Sequence, residues 1–180
     1  MTYFVDMDRS VGMSTDGASR RRSLANFTAR YLNAVRLGRP VLDAWHRQST
    51  DSRELSPNAC EACQSKGECH AAFGTAGEEI GLYPFTETAL WEMASRVDEQ
   101  IEAGFNPRVL QSAVLTKVLD NYAPSLEAGV FPPRALLENL NGLRYLRAQD
   151  RGRLETVFPE DGGRLVAALE LWDTSGQLIN

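Results

Sequence analysis

Cys60-Glu-Ala-Cys63-Gln-Ser-Lys-Gly-Glu-Cys69-His70 contains all three cysteines of this 180-residue chain and one of its two histidines. Three thiols scattered at random would rarely fall within ten residues of each other. The spacing C-x2-C-x5-C-H favours a shared metal, because soft thiolate sulfurs on a tight turn suit zinc or an iron–sulfur cluster. The stretch also divides the chain. On both sides of it apolar residues recur at three- and four-residue steps, so the chain reads as mainly α: an irregular multi-helix domain with a metal-stabilised cysteine loop at about 57–77.

The metal reading rests on Cys60, Cys63, Cys69 and His70. The Cys60-x2-Cys63 pair lets two sulfurs reach one ion at ~2.3 Å, and Cys69 supplies a third. His70 is the nearest fourth donor, although adjacent side chains at 69 and 70 must fold back to meet one ion. His46 is the other histidine that could supply it; Glu61, Glu68 or water are weaker donors. A [4Fe–4S] cluster is the alternative cofactor, although four thiolates are its more usual ligand set. Three ordinary thiols without metal are the third possibility. An odd cysteine count at this spacing does not look like a disulfide framework. The polar loop between residues 49 and 85 has few apolar residues, so metal bonds would replace a missing core.

Outward from the loop, Leu24, Phe27, Tyr31 and Val35 predict a helix from Ser19, stopped by Gly38 and Pro40, with a short helix after Pro40 carrying Val41, Leu42 and Trp45. Residues 1–18 read as a flexible arm and 19–180 as one helical domain. After the loop, Ile80–Phe85 reads as an extended apolar segment. Thr86 is placed to cap a helix with Leu90, Met93, Val97 and Ile101 on one face, ended by Gly104. Asn106-Pro107 predicts a capped start for a helix burying Leu110, Val114 and Val118. Leu136, Leu137, Leu140, Leu143 and Leu146 predict a helix over about 133–149. A polar turn at Arg151-Gly152 and a short segment, Leu154–Phe158, follow. A last helix capped by Asp161 carries Leu165, Ala168, Leu169 and Trp172.

The formal net charge of −5 argues against a surface that grips nucleic acid everywhere. A basic N-terminal third remains, built on Arg20, Arg21 and Arg22 with Arg30, Arg36 and Arg39; its bland reading is a solvated helix face. Three arginines at a helix N-terminus oppose the helix dipole, which makes Arg20–Arg22 the first place to look for phosphate or DNA contact. The sequence has no G-x-x-x-x-G-K-[ST], G-x-G-x-x-G, G-x-S-x-G or H-E-x-x-H motif, and two histidines supply a nucleophile–base pair poorly. The reading is therefore non-enzymatic. No apolar run approaches the ~20 residues of a membrane span, and Met1–Val11 carries Asp6 and Asp8 without an apolar core, so a cytoplasmic location is expected.

The order of several pieces carries a resemblance. Leu24–Gly38, Pro57-Asn-Ala-Cys-Glu-Ala-Cys63, Cys69-His-Ala-Ala-Phe-Gly74, Gly81-Leu-Tyr-Pro-Phe85 and Phe105-Asn-Pro-Arg108 follow one another. This resembles the helical region downstream of the P-loop core in large bacterial ATPases of anti-phage and DNA-modification clusters, over about Leu24 to Trp172. The resemblance implies a non-catalytic zinc-binding module that contacts a protein partner, an ATPase above all, or DNA. The nucleotide-binding core is absent from this sequence, so ATP hydrolysis does not carry over. A small redox- or metal-sensing regulator holding an iron–sulfur cluster is the alternative function.

Overall fold

The computed structural model describes residues 16–49, 55–102 and 106–173. Their contacts form two compact units, one of residues 21–87 and one of residues 88–173 with 16–20. The apolar start Tyr3-Phe4-Val5, most of the N-terminal arm, the linker at 50–54 and the stop expected at Gly104 lie outside the described residues.

In the first unit, α1 (Gly17–Gln48) enters from the N-terminal side and contains the expected break. Gly38 takes φ 70 and ψ 163, so two helices meet at a kink just before Pro40. A proline there removes a helical N–H, and the left-handed glycine lets the chain turn before it. The buried face is Leu24, Ala25, Thr28, Ala29, Leu32 and Asn33. Val35, expected on that face, is 55% exposed. The stretch expected to be loop up to about 77 contains α2 (Lys66–Phe73). A hairpin of β1 (Thr75–Ala76) and β2 (Ile80–Gly81) follows, antiparallel, with Ala76 opposite Ile80. No strand pairing was expected here, because strands this short carry no alternation to read. Ile80 of β2 is buried, as are Leu82 and Phe85 just beyond the hairpin.

The second unit is helical. Its core holds Leu90 and Met93 of α3 (Glu87–Val97), and Ile101 is buried beyond that helix. α4 (Pro107–Leu110) starts as expected: the Asn106 side chain accepts the Arg108 and Val109 N–H groups at 3.0 and 3.3 Å. It continues in two π-helical segments, Gln111–Leu115 and Lys117–Asn121, which bury Val114, Leu115 and Val118. α5 (Ala123–Glu127) and α6 (Arg134–Glu138) are short.

The long leucine helix expected over 133–149 ends after its first turn and a half. Asn141 and Gly142 both adopt positive φ, 66 and 70, and break it. Leu136, Leu137 and Leu140 are buried, whereas Leu143 and Leu146 lie in an irregular turn. The expected turn at Arg151-Gly152 instead lies inside α7 (Ala148–Val157). α8 (Gly162–Leu171) buries Val166, Ala167, Glu170 and Leu171, the face nearly opposite the one expected from Leu165, Ala168, Leu169 and Trp172. Asp161 holds the N-cap position but makes no capping bond; its carboxylate pairs with Arg164 at 3.3 Å. A Cβ on Gly162 would stand 2.6 Å from the Glu155 Cα, so only glycine lets α8 start this close to α7.

Among the described residues, no helix is long and apolar enough to cross a membrane.

Candidate metal centre

The cysteine stretch is tied to α1 by asparagine side chains. Asn33 donates to the Pro57 carbonyl at 2.8 Å and accepts the Ala59 N–H at 2.9 Å. Asn58 accepts the Cys60 N–H and donates to the Glu78 carbonyl, both at 2.9 Å. These bonds fix the backbone that carries Cys60. Two turns then follow: the Cys63 N–H meets the Cys60 carbonyl and the Lys66 N–H meets the Cys63 carbonyl, each at 3.2 Å. The second leads into α2, which carries Cys69 and His70. Asn26 accepts the Gly77 N–H at 2.8 Å and so holds the hairpin turn to α1.

This folding brings all four sequence-predicted metal residues to one cavity of about 620 Å³, whose wall includes Cys60, Cys63, Cys69, His70, Arg36 and Tyr83. Cys60 is buried, Cys69 intermediate and Cys63 exposed. Burial pushes the Cys69 thiol above its usual range, and the nearby Cys60 and Cys63 push the same way. The Arg36 guanidinium and a Tyr83 backbone hydrogen bond pull against them. Three sulfurs that influence one another's charge share one neighbourhood.

The Nε2 of His70 is buried and has no hydrogen-bond partner. Both it and Cδ2 of the same ring stand 3.0 Å from where a Cβ on Gly81 would be, and the Cys60 sulfur stands 3.6 Å from that point. A buried imidazole nitrogen without a partner is costly, and a metal bond is one way to satisfy it. Among the described residues, no group of three or more His, Cys, Asp or Glu side chains is placed to hold a metal ion. The donor types around the cavity, three thiols and an imidazole, are those a thiophilic metal takes, but their placement here does not form a ligand set. Glu68 also lines the cavity; Glu61 is exposed and does not. His46 is exposed near the end of α1 and is not part of the wall.

Arg36 could not be singled out from the sequence, where it looks like one more arginine on a basic helix. Its guanidinium donates to the Gly81 and Tyr83 carbonyls, each at 2.8 Å, and reaches the Cys60 sulfur at 3.7 Å. The Gly81 N–H donates to the same sulfur at 3.3 Å. On the far side, Phe73 and Tyr83 stack edge to face at 4.9 Å.

The arginines proposed for phosphate contact are placed differently from one another. Arg20 pairs with Glu102 at 3.1 Å, and Arg21 and Arg22 lie beside it, exposed, on α1. Arg30 and Arg39 also meet carboxylates, of Glu78 and Asp43, at 3.3 and 3.5 Å.

A second polar cluster escaped sequence reasoning altogether. Glu92 and Arg96 of α3 pair at 2.7 Å, Arg96 pairs with Glu170 of α8 at 2.9 Å, and all three are buried. The signal was present as a Glu–Arg pair four residues apart beside Leu90 and Met93, but such pairs usually face solvent. Burial pushes the Glu170 carboxyl upward. The backbone N–H groups of Leu146, Arg144 and Tyr145 and the Arg96 guanidinium outweigh it and hold the carboxyl below its usual range.

The chain matches no protein-family model, no curated protein and no solved structure.

Proposed function

We propose that this protein is a non-catalytic, zinc-binding interaction module in which Cys60, Cys63, Cys69 and His70 hold the ion. The observation that carries the reading is that these four side chains line one cavity and that the His70 Nε2 is buried there with no partner. A second observation supports a structural role for the ion. α2 has no fully buried residue, so apolar packing holds it only through contacts such as Phe73 against Tyr83. Metal bonds would supply the missing stabilisation, as they do in small zinc domains. The partner is proposed from the resemblance of the cysteine block and Gly81–Phe85 to the helical region of defence-type P-loop ATPases. Such a partner would dock on the surface that the ion keeps ordered; DNA would be reached through Arg20, Arg21 and Arg22.

One observation favours the alternative of an iron–sulfur sensor. The Cys60 sulfur has N–H donors from Gly81 and Arg36, and bonds of this kind tune cluster potentials.

Elemental analysis of the purified, reduced protein, with an absorbance scan of the same sample, separates the readings. About one zinc per chain in a colourless sample supports the module. Iron with sulfide and visible absorption supports the sensor. A well-folded, reduced protein with no metal after incubation with zinc overturns the metal site.

A further inference from the structure

We infer that Arg36 is a positioning residue for the metal, holding Cys60 as the anchoring thiolate; this rests on the zinc reading above and extends it to a residue outside the ligand set. Three thiolates and one imidazole around a dication leave a net charge of about −1. Cys60 is the buried thiol of the three, so its share of that charge most needs a counter-charge close by. Arg36 supplies one, since its Nη1 reaches the Cys60 sulfur at 3.7 Å.

The same guanidinium is locked in place from the other side. Nη1 donates to the Gly81 carbonyl and Nη2 to the Tyr83 carbonyl, each at 2.8 Å, so the planar fork cannot swing away from the sulfur. The strand segment it grips is the one whose Gly81 N–H also reaches the Cys60 sulfur, at 3.3 Å, and whose missing Cβ leaves room for the His70 ring. Arg36 thus connects one ligand's charge to the backbone that seats another. Outer-shell partners of this type change metal affinity about 10- to 100-fold when removed.

The test is cobalt and zinc binding by the full chain. Cobalt reports through its thiolate charge-transfer band, and zinc affinity is read by chelator competition. Arg36→Gln is expected to weaken zinc about 10- to 100-fold and to shift the charge-transfer band. Arg36→Lys keeps the charge but loses the two-carbonyl fork, and should recover part of the affinity. A purely structural arginine would change the melting temperature and leave the band alone. Unchanged affinity and an unchanged band in folded Arg36→Gln overturn the role of Arg36 while leaving the metal site standing. If Arg36→Gln does not fold, the charge-neutral Arg36→Met takes its place, and unchanged affinity and band in it overturn the role equally. If the unaltered chain gives no cobalt band, the metal site itself fails, and the role of Arg36 with it.

Discussion

Arg96 and Glu170 form a 2.9 Å ion pair whose side chains are 1% and 0% exposed, joining α3 to α8 inside the second unit. The pair belongs to a larger network. Arg96 also bonds Glu92 at 2.7 Å and donates to the Gly142 carbonyl. Glu170 accepts the N–H groups of Arg144, Tyr145 and Leu146. Tyr145 in turn donates its hydroxyl to Glu92 at 2.7 Å. Because every member has partners, the charges can be buried; an incomplete version would be worse than an apolar core.

Arg96→Met therefore leaves the buried Glu170 without its cation and Glu92 with only the longer pair to Arg144, at 3.3 Å. We expect it to cost on the order of 3–5 kcal/mol, the usual penalty for breaking a buried pair from one side. Urea unfolding followed by circular dichroism measures this. A loss well under 1 kcal/mol would mean that the network is not formed in solution.

The same network sets a pH dependence. Glu170 is held below its usual range in the folded chain, so its charged form is favoured by folding. Its contribution is then complete above the ordinary glutamate value of about 4.3 and is lost as pH falls through the lower folded value. Stability curves from about pH 6 to pH 3 should fall more steeply for the unaltered protein than for Glu170→Gln. Parallel curves would refute the assignment.

Two glycines of the α7–α8 pair should respond in opposite directions to alanine. Nothing lies within 4 Å of a Cβ at Gly152, inside α7, so Gly152→Ala should stabilise by about 0.5–1 kcal/mol. At Gly162 the Cβ would stand 2.6 Å from the Glu155 Cα, so Gly162→Ala should destabilise by about 1–3 kcal/mol. Melting temperatures of the two variants, compared side by side, check the packing of α7 on α8.

At the proposed metal centre, Cys60→Ser should reduce zinc uptake and remove the rise in melting temperature that added zinc is expected to give. His70→Ala should weaken zinc binding. His46→Ala should leave it unchanged, since His46 is exposed and outside the cavity wall. Zinc content after dialysis against a weak chelator ranks the three. Equal effects at the two histidines would remove His70 from the ligand set.

The sequence alone determined that the chain is mainly helical, because apolar spacing at 24–32, 90–101 and 110–118 is a local, periodic signal. It also determined the start at Asn106-Pro107 and the kink at Gly38-Pro40, where backbone chemistry acts on its own neighbours. The four candidate metal residues were legible because rare side chains clustered at ligand-like spacing. Only the tertiary structure decided the rest. The leucine run past Leu140 is as helical in pattern as the run before it. The chain breaks at Asn141 and Gly142, and Glu170, from another helix, accepts the N–H groups of residues 144–146 that a continued helix would have used. Arg36 looks like one cation among six on a basic N-terminal third. Its meaning comes from carbonyls 45 and 47 residues away in sequence. Periodicity reports what a residue does for its own element, whereas a buried charge or an outer-shell donor is defined by partners that only folding brings near.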